Sequence, residues 1–338
     1  MILMEKFSHL IQKPKISEVD SDFNTITFRD IDFDGMVHWI EDASFTFDTT
    51  TLDSINEIDT TNQSDIDKII FNNCTFKSEV SITTHKIWHI EFNNCIFTSR
   101  QYDYSTTLLK INDKSSKRVT FNNCKFEYFI IGDIRDIQYR VDTKLCRFDL
   151  HGGTIKNLII QNIELISKFY INKQYDGNNE TTTIEKLTIK DSIFKENFKL
   201  HNCQVSKIKV KDTDFEKNAD FYKSKFKEGF PIDENNNDKT IYFGALNFRS
   251  LALFGESVFN ERCSFKYVTF EGYSHFRGAE FKKGLDLDYA NIQKEMNFFG
   301  VTGLDSKESQ ENTSQETYRI LKHNFQKIGN QIEANKYH

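Results

Sequence analysis

The chain has 338 residues, with 44 Lys and Arg against 50 Asp and Glu and a net charge of −6. Its 32 Phe stand against only two Pro and 14 Gly, a balance that excludes collagen-like and low-complexity disordered chains and does not suit a globular α/β enzyme. No apolar run approaches the roughly 18 residues needed to cross a bilayer, and no charged-then-apolar leader with a small-residue cleavage site opens the sequence. At the N-terminus Leu3, Phe7, Leu10 and Ile11 fall at helical spacing before Pro14, so residues 1–15 are expected to form a short capping helix.

From residue 16 onward the pattern changes. A landmark recurs as Ile69-Ile70-Phe71-Asn72-Asn73-Cys74-Thr75-Phe76, then as Ile90-Glu91-Phe92-Asn93-Asn94-Cys95-Ile96-Phe97, then as Val119-Thr120-Phe121-Asn122-Asn123-Cys124-Lys125-Phe126. Weaker copies end at Phe33, Leu165, Phe194 and Phe215. The steps from Phe76 to Phe97 and from Phe194 to Phe215 are 21 residues, and those from Phe97 to Phe126 and from Leu165 to Phe194 are 29. The shorter step reads as one turn of a solenoid and the longer as one turn plus a loop. Polar stretches supply such loops at Ser99–Thr107, Tyr175–Thr183 and Asp233–Lys239.

Between Phe243 and Phe298 the spacing becomes regular. Phe243, Phe254, Phe265, Phe276, Leu287 and Phe298 recur every 11 residues, and Phe248, Phe259, Phe270, Phe281 and Ile292 form a second, interleaved set, so large apolar residues arrive alternately five and six apart. Neither a helix nor a flat strand gives this period. A chain that turns a corner after each short extended run does, and two steps of 11 make a coil of about 22 residues that can bury its apolar face only against its neighbours. Two positions before each large residue stands a small one, as at Ala252, Ser257, Cys263, Val268, Ser274, Ala279 and Ala290. Both side chains point inward from alternate positions, and a narrow interior admits only one bulky member of each pair.

With its small residue two before a central Phe or Leu, as in Ser274-His275-Phe276-Arg277-Gly278-Ala279-Glu280-Phe281, the chain resembles the bacterial pentapeptide-repeat family. The resemblance implies an all-β solenoid, a right-handed quadrilateral β-helix, over residues 16–300. Roughly ten to eleven coils stacked at about 4.8 Å make a rod near 50 Å long.

Cys74, Cys95, Cys124, Cys146, Cys203 and Cys263 each stand two residues before an inward apolar residue, in the small slot, where a thiol behaves as a compact hydrophobe. Disulfides and zinc are therefore not expected, and free buried thiols favour the cytoplasm. The paired asparagines at 72–73, 93–94 and 122–123 are read as stacked amides hydrogen-bonded along the rod. His85 and His89 lie in an extended region and do not share a helical face; Asp233, Asn235 and Asn237 mimic the start of a calcium loop, yet Asp238 and Gly244 stand where the turn Gly and the bidentate Glu belong. No nucleophile elbow, phosphate loop or His-Glu-x-x-His occurs. No catalytic residue, cofactor or metal is assigned, and an enzyme is not expected.

Residues 301–338 return to helical periodicity after a polar linker (Thr302–Asn312). Thr313 with Glu316 forms a capping-box pattern, and Tyr318, Leu321, Phe325, Ile328 and Ile332 follow at steps of three and four. Gly329-Asn330 divides a helical hairpin. The stretch Glu316–Lys336 also resembles a segment of longer pentapeptide-repeat proteins whose helices lead on to membrane-spanning segments, some of ion-channel type.

The sequence therefore points to a non-catalytic protein-interaction scaffold, in the cytoplasm or as the soluble part of a membrane-associated protein. Its partner is unidentified, and Tyr318, Leu321, Phe325, Ile328 and Ile332 are the candidate partner or homodimer surface. The second reading, implied by the resemblance, is a DNA mimic that binds gyrase. Direct nucleic-acid binding is not expected, because no basic patch with interleaved aromatics stands out along the chain. Thiol titration should label few cysteines in native protein and all six after denaturation; a disulfide or bound zinc would contradict the interior-slot assignment.

Overall fold

In a narrow solenoid the backbone can satisfy its hydrogen bonds only by pairing with the coil above and the coil below, and the architecture follows from that. The computed structural model of the chain describes strands at 18–20, 25–29, 32–33, 36–40 and 44–48, and residues 68–337 apart from 78–79, 83–88, 99–108, 111–117, 133–140, 144–146, 173–180 and 232–238. The capping helix expected over 1–15, Cys146, His85 and the 233–237 loop lie outside the described residues.

One face is a twelve-stranded sheet whose edge strand, Glu18–Asp20, is antiparallel, while the other eleven run parallel in coil order, one strand per coil. Eleven coils agree with the spacing of the sequence. The inward residues form four rows. The first starts Phe71, Phe92, Phe121. The second starts Phe76, Phe97, Phe126 and runs on to Ile155. The third runs Ile131, Ile160, Ile189, Val210, Phe243. The fourth runs Leu165, Phe194, Phe215, Phe248, Phe270. Four rows make a four-sided parallel β-helix. The landmark copies at Leu165, Phe194 and Phe215 thus sit on a different row from Phe76, Phe97 and Phe126. Spacing alone does not separate these two rows, because both place a large residue inward just before a corner.

Within a row the rings stack with nearly parallel planes, their centroids 4.8 Å apart for Phe76 on Phe97 and 4.6 Å for Phe97 on Phe126. Between rows they meet edge to face, as Phe71 meets Phe76 at 75°. Both geometries suit the ring quadrupole, and each pair contributes about 0.5–1.5 kcal/mol beyond its area. Cys74, Cys95, Cys124, Cys203 and Cys263 are free and buried in the small slots. The thiols of Cys95 and Cys124 donate to the backbone carbonyls of Phe71 and Phe92, each at 3.3 Å. The adjoining Cys124 thiol, with burial, pushes Cys95 up to about 12; burial raises Cys203, and burial together with the Asp286 carboxylate raises Cys263.

The asparagine pairs divide their labour. Asn93 donates from Nδ2 to Oδ1 of Asn72 at 2.9 Å, and Asn122 does the same to Asn93 at 2.7 Å, so the first member of each pair builds the expected amide ladder. The second sets the backbone. Asn73, Asn94 and Asn123 hold φ of 54°, 53° and 53° and turn the corner that follows the first row. Asn tolerates this left-handed conformation better than other residues with a Cβ. The same corner is filled later by Asn202, Lys223, Glu256 and Gly278, all at positive φ.

Strands on either side of the polar stretches stay in register, as Phe97 with Phe126 does. The second loop is shorter than the polar stretch suggested: Thr182 and Thr183 already belong to the strand Thr182–Lys190. At the N-terminal end the strand Met36–Ile40 pairs with Val80–Ile82 on one side and is covered on the other by the antiparallel Ser44–Asp48. Antiparallel strands thus cover two free edges of the first coil, which blunts edge-to-edge association.

Phe265, fully buried in a stack with Phe243 at 5.1 Å, should cost about 3–5 kcal/mol on Phe265→Ala. Exposed Lys227→Ala should stay within about 0.5 kcal/mol in the same urea titration. At the corner, Asn94→Val should lose about 1–2 kcal/mol while Asn94→Gly is tolerated; equal losses would refute the corner assignment.

Candidate interaction surface at the C-terminal cap

The last coil ends with backbone groups that a twelfth coil would have satisfied. In the coil before it, Cys263 N and Phe265 N donate to the carbonyls of Gly284 and Asp286 one coil on. The corresponding N–H groups of Leu285 and Leu287 have no further coil to reach, and the C-terminal segment supplies side-chain oxygens instead.

This segment forms three helices, α1 (Lys307–Asn312), α2 (Gln315–Lys327) and α3 (Gln331–Ala334). The region expected as a linker is therefore partly helical, with Ser306 Oγ accepting from Ser309 N at 3.2 Å to start α1. The cap of α2 is Ser314, not Thr313: Ser314 Oγ accepts from Thr317 N at 3.0 Å. Thr313 is used elsewhere. Its Oγ1 accepts from Leu285 N at 3.1 Å, and Thr317 Oγ1 accepts from Leu287 N at 2.8 Å. Asn324 Oδ1 accepts from Met296 N at 3.3 Å, while its Nδ2 donates to Met296 O at 2.5 Å. Three polar side chains of one segment thus imitate the missing ladder.

Apolar contacts complete the lid. Leu321 and Phe325 are buried against the core cluster, and Tyr318 packs against it half-buried. Tyr337 stacks on Phe325 at 5.7 Å and on Tyr318 at 6.1 Å, and burial pushes its hydroxyl up to about 12. A Schellman turn closes α2: Asn330 N donates to Phe325 O at 2.9 Å, Gly329 N to Gln326 O at 2.9 Å, and Gly329 takes φ of 77°. The five residues singled out from the sequence therefore divide. Tyr318, Leu321 and Phe325 face the solenoid, while Ile328 (49% exposed) and Ile332 (79%) face outward, as does Phe299 (55%) on the last coil. Sequence reasoning missed Thr317 and Asn324; the available signal was two polar residues interrupting the inward stripe of an amphipathic helix.

Elsewhere the described surface carries no converging set of acid, base and nucleophile. A groove of about 430 Å³ on the second face is lined by Lys125, Glu127, Lys156 and Glu185 among others, and in it Lys156 pairs with Glu127 at 2.8 Å. His89 bonds Thr120 Oγ1 at 2.9 Å, and burial, helped by Lys68, lowers its pKa. Among the described residues no group of three or more His, Cys, Asp or Glu side chains is placed to hold a metal ion. Acids and bases alternate from coil to coil. Lys195 reaches Glu216 at 2.7 Å, Arg249 reaches Asp214 at 2.9 Å, and buried Asp149 lies between Arg118 at 2.5 Å and Arg147 at 3.0 Å. No helix among the described residues is long and apolar enough to cross a membrane.

Comparison with known proteins agrees with this geometry. The family model for pentapeptide repeats, in nine copies, matches residues 246–291, which lie within the regular array. No match was found among curated proteins or among solved structures.

Deleting Asp305–His338 should leave the last coil's N–H groups and core open and make the chain self-associate more than the full-length protein does, as followed by sedimentation velocity. Thr317→Val, which removes one acceptor from a buried N–H, should cost about 1–3 kcal/mol. A truncated chain that stays monomeric with an unchanged melting temperature would refute the capping role.

Proposed function

We propose that this chain, a β-solenoid whose residues 246–291 are pentapeptide repeats, is a non-catalytic scaffold that holds a protein partner in the cytoplasm. The observation that carries this reading is that the interior is filled from Phe71 to Phe298 by stacked side chains, so the repeats build surface rather than a cavity. Repeat solenoids offer long regular faces to partners, and the loops inserted between coils add specificity. Capped ends support a discrete rod, not a filament. The outward residues Ile328 and Ile332, beside a cap anchored by Tyr318, Leu321 and Phe325, form the proposed assembly surface, for a partner or for a second copy of the chain.

The DNA-mimic reading ranks second. It asks for a rod with a continuous acidic surface, whereas cations and carboxylates here alternate along neighbouring coils.

Chemical cross-linking in the native cell, mapped by mass spectrometry, should place cross-links on the cap, from Lys327 or Lys336, and Ile328→Asp with Ile332→Asp should remove them. Purified protein that relieves quinolone inhibition of gyrase supercoiling would instead put the mimic first.

A further inference from the structure

Read along the chain, the lysines of 186–211 look like ordinary solvated strand residues; stacking in register makes them a patch. On the third face Lys186 lies opposite Lys207, Thr188 opposite Lys209, and Lys190 opposite Lys211, while Leu187, Ile189, Ile208 and Val210 between them point into the core. Ammonium groups on one strand thus recur at about 6.6–6.8 Å, and neighbouring strands bring the next set within about 4.8 Å.

The corner aspartates engage two of the five, Lys190 with Asp191 and Lys211 with Asp212, both at 3.1 Å. Glu228, opposite Lys207 in register, is drawn off by Lys239 at 2.9 Å. Lys186, Lys207 and Lys209 form no ion pair among the described residues.

The following coils add aromatic rings to the same face. Tyr242 stands opposite Lys209, and its ring packs over Gly244, where a Cβ would come within 1.9 Å of ring carbon Cζ. At the adjoining corner Tyr267 and Tyr289 are 59% and 72% exposed and stack on each other at 5.2 Å. Both hold positive φ, 58° and 60°, which costs a bulky residue about 1–2 kcal/mol. Exposed rings gain little from burial there, so folding alone does not account for two tyrosines at strained corners. Lys266 beside them is held 3.4 Å from Asp286.

We propose that this face binds single-stranded nucleic acid without sequence preference. The unpaired lysines sit at a spacing suited to successive backbone phosphates, and the tyrosine rings offer stacking platforms to bases that are free of a duplex. A lipid surface would use the charge but not the exposed ring faces. An acidic protein segment would use neither the ring of Tyr242 nor the Tyr267–Tyr289 stack. Lysine heads act as point charges and read no bases, so binding is sequence-tolerant and strongly salt-dependent. This inference stands independently of the scaffold reading, since it concerns a different face from the cap.

The test is fluorescence anisotropy of a labelled oligo-dT with the full chain over a salt series. Three free lysines predict a log–log slope near about −2, from roughly 0.7 per phosphate neutralised on a single strand. The triple variant K186A/K207A/K209A should abolish most of that slope. Tyr242→Ala should weaken binding roughly 5- to 150-fold, and Tyr242→Phe should retain it, since only the ring is needed. Circular dichroism checks that each surface variant keeps its fold. Oligo-dT should also win over a duplex of equal length. Wild-type protein that fails to bind oligo-dT at low salt overturns the proposal. So does binding that the triple variant leaves unchanged, or binding to phosphatidylserine vesicles or poly-glutamate that equals binding to oligo-dT.

Discussion

The distance between stacked strands, about 4.8 Å, governs the rest of this molecule. It equals, within a few tenths of an ångström, the separation at which phenylalanine rings stack, as Phe76, Phe97 and Phe126 do. Backbone hydrogen bonding and side-chain packing therefore impose the same period and reinforce each other at every coil. A chain that commits its interior to Phe in this way has no room inside for a ligand, because each slot beside a ring admits only a small residue such as Cys95 or Ala252. Register errors are penalised as well: slipping one residue would turn a row of rings into solvent.

The same periodicity creates the molecule's two weak points, which are its ends. Inward residues such as Cys263 and Phe265 donate their N–H to the next coil, and the matching donors of the terminal coil have no further coil to reach. The chain answers differently at the two ends. At the start, antiparallel strands Glu18–Asp20 and Ser44–Asp48 cover edges by ordinary pairing. At the finish, Thr313, Thr317 and Asn324 place side-chain oxygens where the next coil's carbonyls would be, while Leu321 and Phe325 cover the rings beneath. A helix can serve as a lid on a sheet-like edge because its side chains, unlike its own satisfied backbone, remain free to accept hydrogen bonds.

Function in such a rod is a matter of surface. Each outward position repeats once per coil, so a residue type favoured at one position becomes a stripe, and stripes of opposite sign pair across coils. Lys195 with Glu216 and Arg249 with Asp214 are stripes that neutralise themselves. Where the pairing lapses, as along the lysines of the third face, a net field and open ring faces remain.

The sequence by itself determined the class of fold, because a five-and-six period with a small residue two before each large one has few other physical solutions. It also determined that Cys74, Cys95, Cys124, Cys203 and Cys263 lie inside, since each stands in the small slot two residues before an inward one. What the tertiary structure decided was everything that depends on which coil lies beside which. Leu165, Phe194 and Phe215 read like further copies of the Phe76 landmark, and only strand pairing placed them on another row. Ser314 and Thr313 are adjacent and chemically alike, and only the position of the open edge made one a helix cap and the other an acceptor for Leu285. Lys186 and Lys207 are 21 residues apart in the chain and become neighbours through register alone. Local spacing encodes what points inward; contacts between coils, set by loop lengths of no fixed pattern, decide what meets what on the outside.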